Sequence, residues 1–188
     1  PPDRTPPDRT RRTTERTTRR GEPPAITQLF KKTKVLELER TYPAPIDAVW
    51  QAWTDEDQLR QWWGPEKTLV PECKVDPRVG GSIHVVTEAG EGMGKYQGTR
   101  WPMSGTFTIV EPPRRLVWEA RSWTEGQEDT STIEHVNDLT LTESGGTTTV
   151  KLHITINRIG SKAKMAAFGM KMGYKAQLDK LGDLLAGS

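Results

Sequence analysis

Residues 133–157, "IEHVNDLTLTESGGTTTVKLHITIN", decide the fold. Two runs alternate apolar and polar residues and meet at Gly145-Gly146. Such alternation marks a half-buried strand, and a glycine pair between two alternating runs marks a tight hairpin. With a two-residue turn, Leu141 faces Val150, Leu139 faces Leu152, Asn137 faces Ile154 and His135 faces Ile156. Residues paired across a hairpin share one side of the sheet. One side therefore carries Ile133, His135, Asn137, Leu139 and Leu141 with Val150, Leu152, Ile154 and Ile156. The other carries Thr132, Glu134, Asp138 and Thr140 with Lys151, His153 and Thr155. Two polar groups, His135 and Asn137, interrupt the apolar side.

Upstream, "SGTFTIVE" (104–111) and "RRLVWEARSW" (114–123) form a second hairpin across Pro112-Pro113. There Phe107 faces Trp118, Ile109 faces Leu116 and Gly105 faces Ala120. A slip of one residue would reverse every side chain, so the agreement of the apolar pairs supports the register. "TLVPECKV" (68–75) and "GGSIHVVTEA" (80–89) read as strands, and "GEGMGKYQG" (90–98) as a glycine-rich rim loop. The first strand is "TKVLELERTY" (33–42). After it, "PIDAVWQAWT" and "DEDQLRQWW" (45–63) show helical spacing, and Gly64-Pro65 stops the second helix. From Ser161, a plausible N-cap, the pattern is helical to the end. Ala167, Met170, Tyr174, Leu178, Leu181 and Leu185 form its apolar stripe. The order β, α, α, six strands, α predicts an α+β fold with an antiparallel sheet covered on one face by helices.

The chain has 188 residues and a net charge of +2. Its first twenty residues hold seven arginines against Asp3, Asp8 and Glu15, more than the whole excess, so the remainder is slightly acidic. Residues 1–26 repeat "PPDRT" and have no large apolar residue before Ile26, so they are expected to be a disordered tail, with one domain at 32–186. The arm lacks aromatic residues for base stacking and its carboxylates dilute its charge, which argues against nucleic acid as a partner. No apolar run approaches the ~20 residues of a membrane span. The single cysteine, Cys73, excludes an internal disulfide and fits a reducing, cytoplasmic setting.

A buried polar group without a partner costs roughly 1–3 kcal/mol. His135 and Asn137 are therefore either satisfied within the core or look into a cavity that holds a ligand. Aromatic residues favour the second reading, and the expected wall is Trp62, Trp63, Phe107, Trp118, Phe168, Met172 and Tyr174 with the two polar groups. His135 and His153 fall on opposite sides of the sheet, and no metal-binding spacing is present, so no metal or other cofactor is expected. No nucleophile motif is present either, and no catalytic residue is assigned, although His135 as an acid or base is left open. A homodimer is also left open.

"ERTYPAPIDAVWQAWTDEDQLRQWWGP", "DPRVGG", "MSGTFTIVEPPRRLVWE" and "GMKMGYKAQLDKL" together resemble bacterial members of the START-like SRPBCC superfamily. The likeness is to homologues of the C-terminal domain of the heat-shock-protein-ninety ATPase activator, over about residues 32–185. The resemblance implies a helix-grip fold, in which seven antiparallel strands grip a long C-terminal helix around a cavity. It also implies binding of a small apolar or aromatic ligand. The open alternatives are a cyclase or hydrolase using the same cavity, or a chaperone-associated interaction module. The branch's name points to the stress response. The sequence does not include the separate N-terminal domain of the eukaryotic activators, so a chaperone partner is not inferred from the name. Tyr174 stands where relatives often have Trp, which adds a hydroxyl near the expected cavity.

Overall fold

The computed structural model describes residues 34–187. The expected tail, residues 1–26, lies outside them. Seven strands form one antiparallel sheet: β1 (Lys34–Tyr42), β2 (Thr68–Val75), β3 (Ser82–Ala89), β4 (Arg100–Glu111), β5 (Arg115–Ser122), β6 (Ile133–Ser144) and β7 (Thr147–Ile159). Their spatial order is β1-β7-β6-β5-β4-β3-β2. Helices α1 (Ile46–Thr54) and α2 (Glu56–Trp62) follow β1, a single turn α3 (Glu128–Ser131) precedes β6, and α4 (Lys164–Ala186) closes the chain. This is the helix-grip architecture.

Local chemistry explains the boundaries. Asp55 caps α2, its side chain accepting from the Gln58 amide at 2.9 Å, and Glu56 and Asp57 follow in the first turn. The helix ends at Trp63, and Gly64 turns the chain with φ of +86°. A Cβ at Gly64 would lie 2.5 Å from Thr68 Oγ1, so only glycine fits that corner. At the other end of the sequence, Ser161 is not the cap of α4. The helix begins later, after Ala163, and no side chain caps it.

The hairpin at Gly145-Gly146 keeps the expected register from Ser144↔Thr147 to His135↔Ile156, and a bulge then leaves Asn157 unpaired. The proline hairpin differs near its turn. Its loop holds three residues, so Ile109 pairs with Val117 and Val110 with Leu116. A bulge at Thr108 absorbs the extra residue, and Phe107↔Trp118 and Gly105↔Ala120 stand as expected. On β2 the ladder breaks between Leu69 and Glu72, around Pro71, which suits an edge strand.

Helix α4 lies across the apolar face and is fastened toward one edge. The Tyr42 hydroxyl donates to Leu178 O at 2.7 Å, and Lys34 Nζ donates to Ala167 O at 2.8 Å. Arg40 pairs with Asp179 at 3.0 Å, and Lys180 Nζ reaches Gly64 O at 3.1 Å. All but the last run to β1. Beneath the helix, Leu36, Leu38, Leu139, Leu152 and Ile154 meet Leu178 and Leu181 in the core. Tyr42 is buried, so its hydroxyl bond is sheltered from water. The Tyr42→Phe variant is expected to lose about 1 kcal/mol of stability, read as a lower urea midpoint with an unchanged m-value.

Candidate functional site

Because α4 is anchored toward β1, the far side of the sheet is incompletely covered. A cavity of about 320 Å³ opens there. Trp101 and Met103 of β4 and Ile133 of β6 form its floor, and Trp63, Trp123 and Met93 stand around it. Ala166, Gly169, Met170, Gly173, Tyr174 and Gln177 of α4 form the roof. The polar groups are few: Thr87, Ser122, Thr124 and Ser131 besides Tyr174 and Gln177.

The paired tryptophans divide between core and cavity. Trp62 is sealed in the core, edge-on to Trp53 at 4.7 Å between ring centroids, and its indole N–H donates to Ala52 O at 2.9 Å. Trp63 meets Tyr174 edge-on at 6.4 Å, and both line the cavity. Of the expected wall residues, these two stand on it. Trp62, Phe107 and Trp118 are core residues: Trp62 and Trp118 each meet Trp53, edge-on and tilted respectively, and Phe107 meets Trp118 at a tilt.

Phe168 and Met172 are corrections. They are 76% and 71% exposed and, with Met165, face away from the sheet. Measured from the buried stripe centred on Ala167 and Leu178, they lie about 100° and 140° around the helix. Met170, Gln177, Ala166, Gly173 and Gly169 lie roughly 60° to 160° round the opposite way, and that flank is the cavity roof. Helical arithmetic could have excluded the first pair. Gln177 was passed over because only apolar residues were counted in the stripe, and Trp101 because β4 begins four residues earlier than its alternation suggests.

His135 and Asn137 lie behind the cavity wall and not on it, which corrects the expectation that they meet a ligand directly. His135 Nε2 is 3.0 Å from Ser122 Oγ, and its Nδ1 is 3.0 Å from Asn137 Nδ2. The Tyr174 hydroxyl donates to Asn137 Oδ1 at 3.4 Å. Nδ1 also lies 3.2 Å from Asn137 Oδ1, so the contacts accommodate either tautomer: Nδ1–H donating to Oδ1 with the Ser122 hydroxyl donating to Nε2, or the Asn137 amide donating to Nδ1 with Nε2–H donating to Ser122 Oγ. The imidazole is thus satisfied on both nitrogens. Burial lowers its pKa from 6.5 to about 4, so the ring is neutral at ordinary pH. Burial also pushes the Tyr174 phenol up, and pushes the Cys73 thiol up to about 11, which makes Cys73 an inert packed residue.

Among the described residues, no group of three or more His, Cys, Asp or Glu could hold a metal ion. His84 bonds Ser104 at 2.7 Å and His153 lies 3.6 Å from Glu37, each remote from His135 in the register. No helix among the described residues is long and apolar enough to cross a membrane.

A protonation consequence follows from the buried ring. The unfolded chain takes up a proton as pH falls through 6.5, whereas the native ring resists until about 4. Stability is therefore full above pH 6.5 and falls by roughly 3 kcal/mol as pH drops to about 4. Urea titrations across this window should show the loss, and the His135→Gln variant should show a clearly smaller one.

The comparisons with known proteins agree with this geometry. Residues 43–186 match the family model described as "Activator of Hsp90 ATPase homolog 1-like protein". A search of curated proteins gives no match. Among solved structures, a protein from Rhodobacter sphaeroides is 23% identical with a TM-score of 0.62, covering 81% of this chain and 92% of its own. Protein Ms6760 from Mycobacterium smegmatis is 21% identical with a TM-score of 0.65, covering 81% and 94%. A protein from Arthrobacter aurescens is 20% identical with a TM-score of 0.66, covering 82% and 87%. At these identities the structures speak for the fold alone. The family model, spanning most of the chain, carries the assignment: this protein belongs to the Hsp90-ATPase-activator-homologue family of the START-like SRPBCC superfamily.

Proposed function

We propose that this protein binds a small apolar or aromatic molecule in the cavity between the sheet and α4. The observation that carries the reading is the pair Gly169 and Gly173. Each sits inside a helix, where glycine is less favourable than alanine by about 1 kcal/mol. Neither is needed for close packing, since a Cβ built on either meets nothing within 4 Å. Both border the cavity, and Gly173, the half-buried one of the two, is read as leaving room at its roof, whereas Gly169 is exposed at the rim. The wall is mostly aromatic and thioether surface with a few hydroxyls, the composition of a small-molecule site.

A hydrolytic use of the same cavity is the second reading, because Ser122 lines it and touches His135. A serine nucleophile would need Nε2 to accept its proton. The contacts admit that tautomer, but a nitrogen whose pKa burial holds near 4 is a weak base. Hydrolysis of p-nitrophenyl acetate is therefore expected to be the same for the wild type and Ser122→Ala. A serine-dependent rate would favour the enzyme.

Binding itself is tested by filling the roof. With naphthalene as probe, Gly173→Leu should weaken binding at least tenfold in calorimetric titration while raising the melting temperature. Unchanged affinity in a folded variant would move the site elsewhere. Gly173→Ala should stabilise by about 1 kcal/mol and leave room for the probe.

A further inference from the structure

We propose that the cavity takes a neutral, compact ring compound carrying a hydrogen-bond acceptor such as a carbonyl, and that the side-chain amide N–H of Gln177 meets that acceptor. The proposal rests on the ligand-binding reading above and adds the chemistry of the ligand.

Charge is the first constraint. Among the described residues, no Asp, Glu, Lys, Arg or His side chain lines the cavity. An ionised ligand would leave water there without a counter-charge, which is strongly unfavourable. Size is the second. A space of about 320 Å³ equals roughly ten waters of liquid and sits near the low end of small-molecule sites. Two fused rings match it, and a long acyl chain does not.

The third constraint is a donor without an acceptor. Gln177 stands one turn beyond Gly173 on α4, lines the cavity and is 9% exposed. Its Oε1 is enclosed, so the open polar atom of the side chain is the amide nitrogen. That nitrogen has no acceptor among the described residues. Trp63, on the same wall, also has an indole N–H without an acceptor among the described residues, yet this group is not sealed in as those of Trp53 and Trp118 are. Amide and indole N–H groups donate and do not accept. Water can serve such donors, but a molecule that fills the space displaces it. The molecule must then bring an acceptor of its own or leave the amide unmatched. An ionised acceptor does not suit the uncharged wall, which leaves a neutral one: a carbonyl or ether oxygen, or a ring nitrogen.

The test uses the full chain and four bicyclic probes. 1-Tetralone only accepts, indole only donates, tetralin does neither and 1-naphthoate is ionised. In calorimetric titration of the wild type, tetralone should bind at least tenfold tighter than naphthoate. Gln177→Leu and Gln177→Met should each weaken tetralone at least fivefold, with tetralin and indole staying within twofold of wild type. Unchanged tetralin binding in a variant shows that its cavity is intact. Tetralin binding without tetralone binding, a tetralone affinity that falls no further than that of tetralin, or tight naphthoate binding overturns the proposal. A loss of indole affinity in place of tetralone affinity also overturns it, because the amide then presents its oxygen. In each of these cases tetralin binding to the wild type would still support the cavity. If no probe binds the wild type, both readings fail together.

Discussion

One helix has to cover one face of a seven-stranded sheet. Six inter-strand spacings make the sheet about 29 Å wide, while a helix with its side chains is about 10–12 Å across. Where the helix is tied down therefore decides where the uncovered surface lies. Here the ties run to β1: Tyr42 to Leu178 and Lys34 to Ala167, with Arg40 and Asp179 at the surface. The first two reach helix carbonyls and fix height and rotation together. The exposed ion pair adds little. Helices α1 and α2 and their tryptophans fill part of the remainder. What is left, over β3 to β6, is the cavity.

That arrangement also sets the role of the buried polar chain. Ser122, His135, Asn137 and Tyr174 link the wall of the cavity to the sheet behind it. An apolar core would be simpler, yet a satisfied network fixes side-chain positions that apolar packing leaves freer. Two of its members, Ser122 and Tyr174, border the cavity, and the other two hold them in place. The imidazole is thus a positioning group in the wall's foundation. Its neutral state is imposed by burial.

Much of the fold was legible in the sequence because hairpins carry their own ruler. Gly145-Gly146 fixed β6 against β7 as far as His135, and only the bulge at Asn157 escaped, since nothing in the local residues announces it. At Pro112-Pro113 the two pairs farther from the turn were right and the pair beside it, Ile109 with Leu116, was wrong, because a longer turn and a bulge at Thr108 cancel within a few residues. The site was less legible. A list of aromatic residues does not distinguish those that seal a core from those that face a void, and only Trp63 and Tyr174 crossed that line. Phe168 and Met172 show the limit of composition without geometry, since apolar character says nothing about which flank of a helix a residue occupies. Gln177 was hidden for the opposite reason, because polarity usually signals solvent.

Six of the chain's seven tryptophans fall into two groups, with Trp50 half-buried against the core, and their separation has an optical consequence. Trp53, Trp62 and Trp118 are enclosed by protein, whereas Trp63, Trp101 and Trp123 border the hollow. A molecule entering the cavity, as proposed, would change the polarity and collisional environment of the second group and leave the first untouched. On the proposed reading the protein would carry its own emission gauge, in which a constant background from the enclosed indoles sits beneath a signal from the three that border the cavity.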